Sequence, residues 1–266
     1  MYKFLGHSEL KLYDLLNVVS FFALLIFNLT QLKQKKLNLS KISQYLQKHF
    51  LEKSRTKKQY RIFLSDTFWA VIETIIISCV QLLPITFLNF KFGKLVGTGA
   101  NYFGLAFFIP YILLLFCFLI RVNPLKQIDL IVPAFPLALT IAKIACFCAG
   151  CCRGIESSFG LYNNSSGLIE FPVQLLESGL AFLIFIFLIF WRKKAKEGTM
   201  FPTYLIIYSA TRFFSEFLRV EPNVLGGLKT YQILCIIGVT VGSVELFLIL
   251  KFGDKITKFY NLKNKQ

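Results

Sequence analysis

Tyr208, Arg212, Glu216 and Arg219 are the residues of this 266-residue chain best placed to do chemistry. They follow one another at spacings of four, four and three, within or just past an otherwise apolar stretch, Thr199 to Leu218. At ~100° per residue they fall within an arc of about 80° on one side of a helix and extend over about 16 Å of it. That is about half the hydrocarbon thickness of a bilayer. An ionisable group in lipid costs on the order of 3 kcal/mol on insertion scales. A membrane helix carries such a stripe only where it faces protein, water or a charged ligand. Two guanidinium groups against one carboxylate leave it cationic, and guanidinium offers paired donors that match a phosphate. The alternative is an Arg212–Glu216 ion pair that ties helices together.

The elements that must position the stripe are membrane spans. Mean hydropathy is +0.60; 55% of residues are hydrophobic and 30 are Phe. Apolar stretches predict an all-α integral membrane domain of seven spans, at about 12–32, 67–88, 95–120, 130–147, 172–191, 199–218 and 230–250. The sixth is the least apolar because it carries the stripe. Residues 33–64 form a basic loop and residues 148–171 a loop on the opposite side. The first stretch lacks a small-residue cleavage pattern and is followed by a basic run from Lys33, so it reads as a span and not as a signal peptide.

The net charge of +16 is a topology signal. With the N-terminus outside, the regions left inside carry 21 Lys and Arg and those outside carry 7, which favours N-out, C-in. The segment Lys41–Arg61 is expected to lie on the anionic inner leaflet. No aromatic-basic module accompanies the charge, so nucleic acid is not an expected partner.

Given that topology, the polar groups inside the spans converge on the outer leaflet. Lys143 lies near the outer end of span four, Gln174 and Glu177 begin span five, and Arg212, Glu216 and Arg219 close span six. Tyr13, Tyr102 and Gln232 lie at the same depth, where interfacial anchoring is the plainer role. The natural ligand is a lipid phosphate of that leaflet. Glu73 and Glu245 are isolated acids of the inner half; they alone suggest a solute transporter, and no repeat or continuous polar path supports it.

Four segments in order resemble the prolipoprotein diacylglyceryl transferase family. Tyr208-x3-Arg212-x3-Glu216-x2-Arg219 resembles its sixth-helix signature. Pro172-Val-Gln174-Leu-Leu-Glu177 is similar to its His-Pro-x-Gln-Leu-Tyr-Glu, and Gly227-Leu-Lys-Thr-Tyr-Gln232-Ile-Leu to its Gly-Leu-x-x-x-Gln-Ile-Leu. Lys143-Ile-Ala-Cys146-Phe-Cys-Ala-Gly150 sits where the family has Gly-Arg-x-Gly-Asn-Phe-x-Asn-Gly-Glu. The resemblance covers residues 130–235 well. It implies transfer of the diacylglyceryl group of phosphatidylglycerol to the lipobox cysteine of a preprolipoprotein, at the outer face of the bacterial cytoplasmic membrane, with glycerol 1-phosphate leaving. It implies catalytic roles for Arg212, Glu216, Lys143 and Tyr208. Lipid or phosphate contacts would come from Arg219, Gln174, Glu177, Tyr13, Tyr102, Cys146, Gly154 and Gln232. Lys143 replaces the family's arginine, Cys146 its asparagine and Cys151 its glutamate, and its third-helix histidine is replaced near Tyr102. The alternative within the family is a phospholipid-binding relative without turnover.

Four of the seven cysteines crowd into Cys146, Cys148, Cys151 and Cys152. Metal clusters usually take ligands from two separated segments, and no second cluster is at hand, so no metal or other cofactor is expected. A disulfide in an oxidising compartment or small apolar packing at a helix end are the other readings. His7 is the one histidine on the outer side under this topology.

Overall fold

The computed structural model describes residues 123–263 apart from 164 and 165, together with isolated helical positions between 15 and 27 and Tyr111. The expected span 67–88, the loop 33–64, nearly all of the spans 12–32 and 95–120, and Tyr13 and Tyr102 lie outside these residues. Two compact units divide the chain. Val132–Lys251 belong to one; residues 123–131 and 252–263 belong to the other.

The second unit contains α1, Pro124–Ile131. Asn123 caps it: its Oδ1 accepts from the Leu125 N–H at 3.1 Å, and Pro124 starts the helix, where no N–H is needed.

The first unit holds the remaining elements: α2 (Ala134–Cys148), β1 (Glu156–Asn163), β2 (Leu168–Glu170), α3 (Val173–Trp191), α4 (Met200–Ser215), β3 (Asn223–Leu225) and β4 (Leu228–Lys229). It also holds the start of α5 (Thr230–Lys263), which runs on into the second unit. Prolines 133, 136, 172 and 202 stand at or just inside helix starts, where their fixed φ suits the first turn. Helix α2 ends in a Schellman turn. The Cys151 N–H reaches the Cys146 carbonyl at 3.2 Å, the Gly150 N–H reaches that of Phe147 at 3.1 Å, and Gly150 supplies the left-handed residue at φ 66°.

The described residues are mostly helical, and among them three stretches are long and apolar enough to cross a membrane: Pro124–Cys148, Val173–Trp191 and Thr230–Lys258. Exposed Phe182, Leu183, Phe190 and Phe247 give these helices an apolar exterior. The sixth expected span is shorter than predicted. Its α-helix has 16 residues, about 24 Å against a hydrocarbon core of about 30 Å. Glu216–Leu218 then tighten into a 3-10 turn, and Arg219 is extended.

The mostly helical fold also carries two small ribbons between its helices. The segment expected as an outer loop, 148–171, contains the antiparallel hairpin β1–β2, and β3–β4 form the second. Backbone groups packed against the helix ends require partners, and the hairpins supply them. The register of β1–β2 shifts between Glu156 and Leu161, where a Cβ on Gly160 would meet the Glu170 carbonyl oxygen at 2.5 Å.

Helix α2 packs chiefly on α3, and the Ser178 hydroxyl donates to the Thr140 carbonyl at 2.9 Å. Gly242 lets α5 approach α4 closely; a Cβ there would lie 2.9 Å from Ile206 Cγ1 and 3.1 Å from the Pro202 carbonyl.

Candidate active site

Three helix ends bring five charged side chains together. Lys143 comes from the last turns of α2, Glu177 from the start of α3, and Arg212 from the last turn of α4. Glu216 and Arg219 follow on the 3-10 turn and just past it. Glu177 is the hub. One carboxylate oxygen takes Arg212 and, at 3.2 Å, the Ser215 hydroxyl; the other takes the Lys143 ammonium at 2.5 Å and faces Arg219 at 3.9 Å. Glu216 is fully buried and sits between the arginines, 2.7 Å from Arg212 Nη2 and 3.6 Å from Arg219 Nε. Spacings of four and three along one helical path make that bracket possible.

The cluster carries three cations against two carboxylates. Two groups at its edge adjust this balance. Glu221, more than a third exposed, accepts from Arg219 Nη2 at 3.3 Å. The Lys229 ammonium donates to the carbonyls of Glu216 and Arg219, each at 2.7 Å, and so caps the end of the α4 path. Arg219 Nε and Nη1 are buried and have no hydrogen-bond acceptor among the described residues. Each faces a carboxylate beyond hydrogen-bond distance, Nε toward Glu216 at 3.6 Å and Nη1 toward Glu177 at 3.9 Å. The Arg212 guanidinium also lies 5.4 Å from the Tyr231 ring centre.

Below the cluster lies a small cleft. Lys143, Glu177, Arg212 and Ser215 line one end; Leu139, Ala181, Ile184 and Tyr208 line the other. Tyr208 stacks on Tyr204 with ring centres 5.8 Å apart. The cleft is polar at one end and apolar along its length.

The loop after α2 closes over the polar end. Gln174 donates to the Cys151 carbonyl at 2.6 Å, so this side chain holds backbone. Gly154 forms a bridge with Arg219 and lies so close to Phe171 that any Cβ would run into that residue's carbonyl oxygen. Its role is backbone docking, reinforced by Ile155 N–H to Leu218 O at 3.0 Å and Phe171 N–H to Ile155 O at 2.9 Å. Gln232 accepts from the Lys229 N–H at 3.0 Å, at the start of α5. Cys146 joins Cys151 and Cys152, their sulfurs all within 4.8 Å of one another. Hydrogen bonds from Cys146 and Cys151, with Lys143 and Arg219 nearby, hold the Cys152 thiol well below its ordinary range. The hydrogen bond with Cys146 acts to lower Cys151 too, but donation to Cys152 and burial outweigh it and push that thiol up to about 11.

Sequence reasoning missed Ser215 and Lys229, which look like an ordinary helix serine and a loop lysine. It also missed a second polar knot, in which Glu170 takes Arg153 at 3.3 Å and Asn163 at 2.9 Å and ties the hairpin to the loop.

A mostly helical membrane protein with a buried, net-cationic cluster over an apolar cleft is the class that fold and site define. The sequence model described as prolipoprotein diacylglyceryl transferase matches residues 3–248, and the chain belongs to that family. It is 38% identical over 142 residues to phosphatidylglycerol–prolipoprotein diacylglyceryl transferase 2 of Clostridium perfringens, covering 50% of this chain and 55% of that one. It is 36% identical over 136 residues to phosphatidylglycerol–prolipoprotein diacylglyceryl transferase of Clostridium tetani, covering 46% and 55%. In both, the chain spans about half the relative's length. The similarity to the Campylobacter hominis protein, 29% over 246 residues, extends to 84% of this chain and 88% of the relative.

Proposed function

We propose that this protein transfers the diacylglyceryl group of phosphatidylglycerol to the lipobox cysteine of a preprolipoprotein. Membership of the family supports the reading, and so does the relatives' naming for this reaction. The observation that carries it is the buried net-cationic cluster, three cations against two carboxylates, whose Lys143 and Arg212 line the polar end of an apolar cleft. Phosphate would sit against Arg219 and Arg212, with the acyl chains along Leu139, Ala181 and Ile184. The acceptor thiolate attacks the glyceryl carbon that bears the phosphate ester. A C–S bond forms, the C–O bond breaks, and its electron pair leaves on glycerol phosphate. Guanidinium and ammonium groups stabilise the charge that develops there. Glu216 and Glu177 are positioning residues for the arginines.

In this reading the chain has seven spans as one membrane domain of the bacterial cytoplasmic membrane. The N-terminus is outside, the C-terminus and the loop 33–64 are cytoplasmic, and the cluster lies at the outer leaflet. The charge distribution of the whole sequence supports that orientation. Purified protein supplied with phosphatidylglycerol labelled in the diacylglyceryl group and a lipobox peptide should yield labelled peptide and free glycerol phosphate. Saturable phosphatidylglycerol binding without release would replace the transferase with a lipid-binding relative.

A further inference from the structure

We propose that Cys146, Cys151 and Cys152 form a three-sulfur site for a thiophilic metal ion of the zinc type, whose open fourth position takes the acceptor cysteine thiol. The second half rests on the transferase reading; the first does not.

Expecting no metal rested on the idea that one segment cannot supply a ligand set. The turn after α2 removes that argument. Gly150 in the left-handed region reverses the chain, and Cys152 sits at φ 58°, a region a non-glycine residue seldom occupies. Small apolar packing gives no reason to hold a cysteine there; convergence of sulfurs does. The result is three Sγ atoms within 4.8 Å of one another, from Cys146 on the helix and two adjacent residues past the turn. Cys148, two residues along the same helix as Cys146, projects from another face and is not in the group. Zinc–sulfur bonds of about 2.3 Å in a tetrahedron place sulfurs ~3.8 Å apart. The trio therefore has to contract by less than about an ångström on that geometry.

The surroundings are built to keep it. Gln174 holds the Cys151 carbonyl at 2.6 Å, and Gly154 is wedged against Phe171. Three thiolates around a divalent ion leave one negative charge, and Lys143 and Arg219 act on Cys152 from close by. Three protein ligands with a fourth position open is the pattern of a reactive zinc site; structural sites are closed by four. Cys151 is exposed, so the open side is accessible. A thiol held there would release its proton to solvent and keep its nucleophilicity as the thiolate. Its sulfur then forms the C–S bond as glycerol phosphate leaves. The thioether product carries no charge and is the weaker ligand, so it dissociates.

The test uses the full chain in detergent, reduced and stripped with a chelator, then titrated with Zn²⁺. Wild type and C148S should each take up stoichiometric zinc. C146S, C151S and C152S should each weaken binding by at least about tenfold. With Co²⁺ as the probe, a lipobox peptide should shift the absorption toward a four-sulfur spectrum, and its Cys→Ser analogue should not. No stoichiometric zinc in wild type, or equal binding by all four variants, overturns the site. If glycerol phosphate release continues in that zinc-free protein, the transferase reading stands without it. Zinc uptake with no response to the cysteine peptide overturns the thiol-holding role. Zinc uptake without any transfer leaves the metal site standing and removes the transferase reading instead.

Discussion

Arg212 holds two carboxylates at once, and the planar guanidinium fork offers separate nitrogens to each. Arg212→Ala should cut transfer by at least about 100-fold, the scale on which a preorganised donor acts, with membrane levels near normal. Retained activity would make the stripe a purely structural feature. Lys143 meets Glu177 with a point charge where a fork would serve as well. Lys143→Arg should keep or raise the rate and Lys143→Ala should lower it steeply, both read as kcat with phosphatidylglycerol saturating. The thiols predict a pH profile. Alkylation follows the thiolate, which persists above a group's own pKa. In chelator-treated protein, Cys152, held low, should react with iodoacetamide even at mildly acidic pH. Cys151, pushed up to about 11, should react only in strong alkali. Peptide mapping of the labelled cysteine against pH decides it; equal reactivity of the two would contradict the assigned order.

At the scale of elements, Arg153 and Arg219 are set by one backbone seam. The Ile155 and Val220 N–H groups donate to the Leu218 and Arg153 carbonyls across it, and Gly154 lies at its closest point. Gly154→Ala should therefore disturb Arg219 through the backbone. A loss of about tenfold or more in activity, on the scale of a 1 Å misplacement, is expected with the protein still inserted. The helical stripe was legible in the sequence because a period of 3.6 residues turns spacings into a face. The joint role of Lys143, Glu177 and Arg212 was legible only as a shared depth. Which carboxylate pairs with which cation depends on the rotation of α2, α3 and α4 about their axes, and spacing within one helix carries no information on that. Ser215 and Lys229 were not visible for the same reason. The hairpin β1–β2 was hidden because eight residues that include two serines and a glycine give no clean alternation. The cysteine turn was hidden because a left-handed cysteine has no sequence signature.

For the molecule as a whole, orientation decides whether the cluster meets lipid from the outer leaflet. Single cysteines placed near each end of a variant lacking the natural ones should label from outside at the N-terminus and from inside at the C-terminus. An exposed C-terminus would put Arg212 and Arg219 in the inner leaflet and end the outer-face mechanism. The apolar exterior of α3 and α5 fits any lipid environment and does not settle the matter; the charge asymmetry of the loops carries the expectation.

The hub at Glu177 has a kinetic consequence. Every cation of the cluster already has a carboxylate within 4.0 Å, and the loosest of the Glu177 contacts is the one to Arg219 at 3.9 Å. In the proposed reaction a phosphate would have to take Arg219 over from a resident counter-ion, as in an ion exchanger. That competition would weaken capture, and the returning carboxylate would expel the phosphate product. Glu177→Gln should thus tighten inhibition by glycerol phosphate while slowing turnover, and weaker inhibition would show that Glu177 does not compete for the arginine.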